Sequence, residues 1–205
     1  MRIDRIEPSG HKKGRVLLFL DGGPCLKVTE EELLEFGLRA GDELDPETLR
    51  RLQEAAGLSN IRAKAAEMIA KRPLSRNALI RKLSEKGALP EEAENAADWL
   101  TSIGALNDTE YAATLARECA AKGYGPARIR AKLYEKGVPK ELWDAAMSDL
   151  PDNAAQMDAY LSRKLAGGMP DRDTKRRLTA SLLRRGFSWD DIRAAWSRIG
   201  EDVEE

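Results

Sequence analysis

The chain has 205 residues, and its 34 Lys and Arg nearly cancel its 35 Asp and Glu, so net charge alone names no partner. Apolar content of 42% beside 34% charged residues fits a globular chain of one domain or two small ones and argues against intrinsic disorder. No apolar run approaches the roughly 20 residues of a membrane-spanning helix. Asp4 and Glu7 interrupt the basic-then-apolar order of a secretion signal, and Cys25 and Cys119 lack the spacing of a disulfide framework or zinc site. A cytoplasmic protein without metal, with both thiols acting as small apolar side chains, is expected.

Residues 2–28 read as short strands. Arg15-Val16-Leu17-Leu18-Phe19-Leu20 is rich in β-formers, Asp21-Gly22-Gly23-Pro24 signals a turn, and Cys25-Leu26-Lys27-Val28 resumes an alternating pattern. The expectation is a hairpin, with Arg2–Ile6 available as a third strand. So small a sheet needs cover on one face. Thr29 followed by Glu32 forms a capping box opening a helix whose apolar face is Leu33, Leu34 and Phe36, ended by Gly37. Asp45-Pro46 then opens a second helix, with Leu49 and Leu52 on its apolar side, expected to stop at Gly57. Residues 1–58 are therefore read as a small β-hairpin-plus-helix domain. Gly22-Gly23-Pro24 lacks the pattern of a phosphate loop and is read as a turn.

From Ser59 onward the strand signal vanishes and a repeat begins. Leu79-Ile80-Arg81-Lys82-Leu83-Ser84-Glu85-Lys86-Gly87 returns as Ile129-Arg130-Ala131-Lys132-Leu133-Tyr134-Glu135-Lys136-Gly137. A looser copy follows at Leu178-Thr179-Ala180-Ser181-Leu182-Leu183-Arg184-Arg185-Gly186, and the three glycines lie 50 and 49 residues apart. Apolar residues stand four and eight positions before each glycine and a base immediately before it. This period signals a repeat architecture. The helices of the first copy are expected at 61–70, 75–86 and 91–103; of the second, at 108–121, 127–136 and 139–150; of the third, at 153–165, 173–185 and 188–199. The fold class is mainly α: three tandem three-helix repeats at 59–107, 108–152 and 153–200, forming an elongated, curved body after the small α+β domain. An acidic tail at 201–205 is expected to fray.

The middle helix of each copy, the marker helix, gathers bases. Residues 62–86 hold 8 bases and 2 acids, 122–140 hold 6 and 1, and 163–185 hold 8 and 2, whereas the helix after each is led by acids. Overall neutrality thus hides a segregation of charge by helix. Lys82 and Lys86 share a helix face, as do Lys132 and Lys136, while Leu79 with Leu83 and Ile129 with Leu133 lie on a different stripe. Patches at regular intervals suit a long, regular, acidic partner: a nucleic-acid duplex, or a protein filament around one. Ordinary solvated helix faces ended by glycine would look much the same, and duplication preserves spacing by descent, so on charge alone the two readings stand level.

Trp99, Trp143, Trp189 and Trp196 fall on or beside the third helix of a copy and are expected to fill cores. Tyr124 and Tyr134 are within reach of a nucleobase, but packing in a core or rim is the expectation. His11, the sole histidine, lies beside Lys12 and Lys13, and no triad, HExxH, phosphate-loop or calcium-loop motif is present. Glu91-Glu92 and Asp190-Asp191 suit helix N-termini. No catalytic residue, metal or cofactor is assigned.

With the repeats laid out, the chain resembles the RecX family of recombination regulators. The resemblance rests on Leu83-Ser84-Glu85-Lys86-Gly87 and Leu133-Tyr134-Glu135-Lys136-Gly137, on Leu106-Asn107-Asp108-Thr109-Glu110-Tyr111-Ala112, on the three-copy layout, and on a β-rich leader ending in Phe36-Gly37-Leu38-Arg39-Ala40-Gly41. Asn107 stands where the family usually shows Asp, and Ser181 and Arg185 stand where the second copy has lysines. The resemblance implies a non-enzymatic regulator that lodges along the RecA–DNA filament and restrains its growth, ATP turnover and strand exchange; separately, a monomer is expected. It carries partner-binding roles to Lys82, Lys86, Lys132 and Lys136, and to Arg185 in the third copy. Charge clustering adds Arg76, Arg81, Arg128, Arg130, Lys175, Arg176, Arg177 and Arg184. Alternatives are a stand-alone helical protein binding single- or double-stranded DNA, or a neutral helical adaptor.

Overall fold

The computed structural model describes residues 1–10, 13–23, 25–165 and 168–200. The expected turn residue Pro24, His11 with Lys12, and the acidic tail lie outside the described residues.

Three strands, β1 (Ile3–Pro8), β2 (Arg15–Leu20) and β3 (Leu26–Thr29), form one antiparallel sheet in the order β1-β2-β3. In β2 alternation is strict: Val16, Leu18 and Leu20 are buried and the residues between are partly exposed. The buried face closes over Ile3, Val28, Leu38, Leu44, Leu52 and Ala56. The capping box forms as expected: Thr29 Oγ1 accepts from the Glu32 amide, and the Glu32 carboxylate accepts from the Thr29 amide at 2.8 Å. It opens α1 (Glu30–Glu35). Leu34, expected on the apolar face, is instead 79% exposed, while Leu33 and Phe36 pack on the core. One helical step separates Leu33 from Leu34, and a six-residue helix can bury only one stripe.

The expected stop at Gly57 does not occur. Asp45 caps α2 (Pro46–Lys71), which runs unbroken for 26 residues through Gly57. A glycine inside a helix costs about 1 kcal/mol relative to alanine, and tertiary bonds flank it here. Arg15 donates to the Ser59 hydroxyl and carbonyl at 3.1 and 2.7 Å, and Asn60 Nδ2 donates to the Lys27 carbonyl at 2.9 Å. These bonds fasten the middle of α2 to the sheet beyond the point where the sequence signals an end.

The chain divides into two compact units. The first holds residues 1–73 and 79–106. Here α2 packs with α4 (Pro90–Ser102) over Ala65, Ala93, Ala96, Ala97 and Leu100, all buried. The second holds residues 74–78, the first turn of α3 (Arg76–Ser84), together with 107–205. Its first three-helix copy comprises α5 (Asp108–Ala121), α6 (Pro126–Glu135) and a 3-10 turn (Lys140–Leu142) running into α7 (Trp143–Met147). Its second comprises α8 (Asn153–Leu165), α9 (Arg172–Arg185) and α10 (Trp189–Arg198). The single helix expected over 139–150 is thus broken; the Trp143 indole N–H reaches back to the Val138 carbonyl at 3.0 Å and draws the segment into a tight turn.

The repeat signature is the core signature. Leu79 and Leu83, Ile129 and Leu133, and Leu178 and Leu182 are all buried. Each marker helix ends at a glycine with positive φ: 88° at Gly87, 72° at Gly137 and 91° at Gly186. Trp196 is fully buried and donates to Thr179 Oγ1 at 2.9 Å, and Trp143 packs at the edge of the middle core. Trp99 is partly exposed beneath Arg62, whose guanidinium lies 5.6 Å from its ring.

Candidate functional site

Within the second unit a single geometric rule recurs. The Ser75 hydroxyl donates to the Lys136 carbonyl at 2.6 Å, and Asn77 Nδ2 donates to the Gly137 carbonyl at 3.0 Å. Fifty residues on, the Gly125 amide donates to the Arg185 carbonyl at 2.8 Å, and the Ala127 amide to the Gly186 carbonyl at 3.1 Å. Ser75 and Gly125 each stand twelve positions before their own marker glycine, and Asn77 and Ala127 stand ten before it. The start of one marker helix therefore holds the end of the next copy's, through side chains in one junction and backbone amides in the other. In the first copy the equivalent carbonyl, that of Lys86, accepts from Lys64 Nζ at 3.1 Å. Asp108 strengthens the first junction, its carboxylate accepting from the Arg76 amide at 2.8 Å. A helix end has free carbonyls, which both dockings satisfy, and the second docking also engages backbone N–H groups at a helix start. The sequence signal was only a small residue twelve positions ahead of each glycine.

This rule decides which bases face outward. In α6 the exposed stripe is Ala127, Arg130, Ala131 and Tyr134, spaced by three and four, with Arg128 and Lys136 exposed on its flank. Tyr134, expected in a core or rim, is 77% exposed. Lys132 is the less accessible base: its side chain is 29% exposed and its ammonium lies 2.6 Å from Glu135. That hydrogen bond and the charge of Lys132 hold the Glu135 carboxyl below the usual carboxylate range, so the pair persists into mild acid. Lys136 lies 3.9 Å from the same carboxylate and Arg130 3.7 Å from Asp144, loose surface pairs in each case. Arg128 stands over Tyr124 with 5.9 Å to the ring centroid.

The other copies partly follow. On α3 and the turn after it, Arg81 and Lys86 are exposed, Lys82 and Arg76 are half-buried, and Arg81 is 3.9 Å from Glu85. On α9, Arg176, Arg177 and Arg184 are exposed and Leu183, the counterpart of Tyr134, is 43% exposed. Lys175 is half-buried, 5.7 Å from the Trp196 ring. Arg185 does not face outward: its Nη1 donates to the Lys122 and Gly123 carbonyls at 3.2 Å, and its guanidinium lies 4.9 Å from the Tyr160 ring. It is a clamp between adjacent copies. Ser181, in the position of Lys132, bonds the Tyr160 hydroxyl at 3.0 Å.

Among the described residues no group of three or more His, Cys, Asp or Glu is placed to hold a metal, and no helix is long and apolar enough to cross a membrane. Tandem three-helix copies joined end to start, with apolar pairs inward and part of each base cluster outward, define a helical-repeat protein. Residues 107–147 match the second three-helix domain of RecX and residues 160–196 the third. The chain is 35% identical over 152 residues to the regulatory protein RecX of Xanthomonas citri, covering 73% of this chain and 91% of that one. It is 35% identical over 147 residues to the RecX of Pseudomonas fluorescens, covering 71% and 94%, and 28% identical over 199 residues to that of Lactobacillus delbrueckii, covering 95% and 73%. A crystal structure of a regulatory protein RecX has the same fold, with a TM-score of 0.69 at 24% identity over 93% of this chain and 96% of that one. The RecX of Lactobacillus salivarius gives a TM-score of 0.63 at 22% identity, over 71% and 98%. The chain belongs to the RecX family of regulatory proteins.

Proposed function

We propose that the protein regulates homologous recombination without catalysis, by binding the RecA–DNA filament through the outward faces of its marker helices and restraining ATP turnover and strand exchange. The carrying observation is the division of labour on α6. Ile129 and Leu133 are buried, Lys132 is engaged by Glu135, and Arg128, Arg130, Tyr134 and Lys136 remain at the surface. Such a face meets phosphates with its bases, while Ala127 and Ala131 let the helix backbone approach closely. Family membership supports the recombinase as the partner. Added below stoichiometric ratio, the protein should suppress single-strand-dependent ATP hydrolysis by RecA, and Arg130→Glu with Lys136→Glu should relieve the suppression. Unchanged hydrolysis at excess protein and low salt would sink the reading.

A second reading, a protein that binds DNA without the recombinase, is favoured by Tyr134. An exposed ring flanked by bases suits stacking on an unpaired base. Tight binding to free single strands, lost in Tyr134→Ala and retained in Tyr134→Phe, would select it.

A further inference from the structure

The third copy presents a basic face beside the point where its last helix ends. Gly186, Phe187 and Ser188 alone join α9 to α10, so the two run antiparallel and the end of α10 lies beside the start of α9. Two contacts fix this: Trp196 Nε1 donates to Thr179 Oγ1 at 2.9 Å, and Lys175 Nζ lies 5.7 Å from the Trp196 ring. Arg172 and Arg176 flank Lys175 on α9, both exposed, and Arg193 is exposed on α10, sharing a face with Trp196 three residues on. Of the acids at the start of α9, Asp171 caps the helix, accepting from the Thr174 amide at 2.7 Å. Asp173 stands 3.7 Å from Arg176, a loose pair with both side chains almost fully exposed.

Residues 201–205 follow directly, and Glu201, Asp202, Glu204 and Glu205 place four carboxylates in five positions. Gly200 takes a φ of 85°, the left-handed turn that carries a chain off a helix axis. It stands four residues beyond Trp196, about 6 Å of helix, and five extended residues reach roughly 17 Å. The Lys175 ammonium beside Trp196 falls within that span, as does the helical turn holding Arg172 and Arg176.

We propose that the acidic segment 201–205 docks on the face of Arg172, Lys175, Arg176 and Arg193 and screens the third copy's bases from an acidic partner. Exposed ion pairs are individually weak and salt-sensitive, but a segment anchored at Gly200 stays at high local concentration. The docking is therefore reversible, and a long polyanion that brings many negative charges displaces it. Only the screening rests on the marker-helix reading above; the docking stands without it.

Carbodiimide, which joins an amine to a carboxylate in contact with it, tests the docking on the full chain, with the joined peptides identified by mass spectrometry. Lys175 is expected to couple to the segment within one chain at low salt, the yield falling about fivefold at about 0.5 M salt. Arg176→Lys should add a second point of coupling. Coupling of the segment to other lysines in place of Lys175, coupling only between chains, or none at all overturns the docking.

Screening is read by titrating a heparin fragment, a polyanion that requires no recombinase, into a variant carrying Glu201→Gln, Asp202→Asn, Glu204→Gln and Glu205→Gln. A control loses the same charge elsewhere, through Glu94→Gln, Glu110→Gln, Glu118→Gln and Glu141→Gln, all at exposed positions. Circular dichroism verifies both folds. The first variant is expected to bind about fivefold more tightly than the control at low salt, the two converging as salt rises. Equal affinities at low salt overturn the screening. Intact coupling together with unsuppressed RecA hydrolysis would strike the recombinase reading and uphold the docking.

Discussion

Gly186 sits so close to Arg128 that a Cβ added to the glycine would lie 2.4 Å from the Arg128 backbone nitrogen. From the other side, a Cβ on Gly125 would lie 2.6 Å from the Gly186 carbonyl oxygen. The second junction is therefore a backbone-on-backbone contact with no room for a side chain. The first is looser, since a Cβ on Gly137 would meet the Ser75 hydroxyl at 3.2 Å, and around Gly87 nothing lies within 4 Å. Alanine substitutions should rank accordingly in chemical denaturation. Gly87→Ala should cost only the left-handed backbone penalty, about 1–2 kcal/mol. Gly186→Ala should cost that plus roughly 1–3 kcal/mol of forced repacking. Equal losses at the two glycines would mean that the junction contributes nothing.

Stability and partner binding should separate on α6. Leu133→Ala removes a fully buried side chain and should cost about 2–5 kcal/mol. Arg130→Glu alters an exposed base held only by a loose pair, and should change stability by about 0.5 kcal/mol or less. Yet it should weaken filament or DNA binding and flatten its salt dependence. Parallel urea melts and binding titrations at two salt concentrations make the comparison.

Asp108 should make the first junction sensitive to pH. Burial pushes its carboxyl above the ordinary value, opposed by the Arg76 amide and the Arg76 charge. A raised folded value means that the folded protein holds this proton more tightly. The contribution is therefore full below the unfolded value and lost as pH rises through the folded one. Asp108→Asn keeps an acceptor for the Arg76 amide without the charge. It should match or exceed wild-type stability at neutral pH, with its advantage shrinking below about pH 4. Asp108→Ala, which loses the acceptor, should cost about 1 kcal/mol. Denaturation midpoints of the three proteins across pH test the sign.

The two thiols should react differently. Cys25 is exposed, while Cys119 is buried and its thiol pushed up by that burial against the opposing charges of Lys122 and Lys132. An alkylating reagent should therefore modify Cys25 in the native protein and reach Cys119 only on unfolding. Mass analysis of labelled peptides before and after denaturant separates the two.

Period and pattern made the repeat cores readable. Leu79, Leu83, Ile129, Leu133, Leu178 and Leu182 could be placed inward because helical burial follows a fixed spacing. The N-caps at Thr29 and Asp45 were visible for a similar reason, since a cap is a local device acting over three residues. Long-range bonding was not visible. Arg15 to Ser59 and Asn60 to Lys27 carry α2 through Gly57, and no local signal announces them. Charge was legible as composition but not as presentation. Lys132 matches Lys82 in the repeat yet is tied to Glu135, and Arg185 is turned into a junction by carbonyls more than 60 residues away. Tyr134 eluded sequence reading because an aromatic on an amphipathic helix is usually core, and only the packed neighbours show which stripe it occupies.

The unbroken α2 has a consequence for how the protein unfolds. At about 1.5 Å per residue, its 26 residues form a rod shared by the β-sheet at one end and the first three-helix copy at the other. Repeat proteins commonly lose their copies piecemeal, each responding to its neighbours alone. Here fraying cannot stop at Gly57 without breaking the rod, so the sheet and the first copy melt as one cooperative block. Amide hydrogen exchange along α2 would then be uniform from Leu52 to Ala65, and a cut between residues 58 and 59 would release two fragments that each lack half a helix.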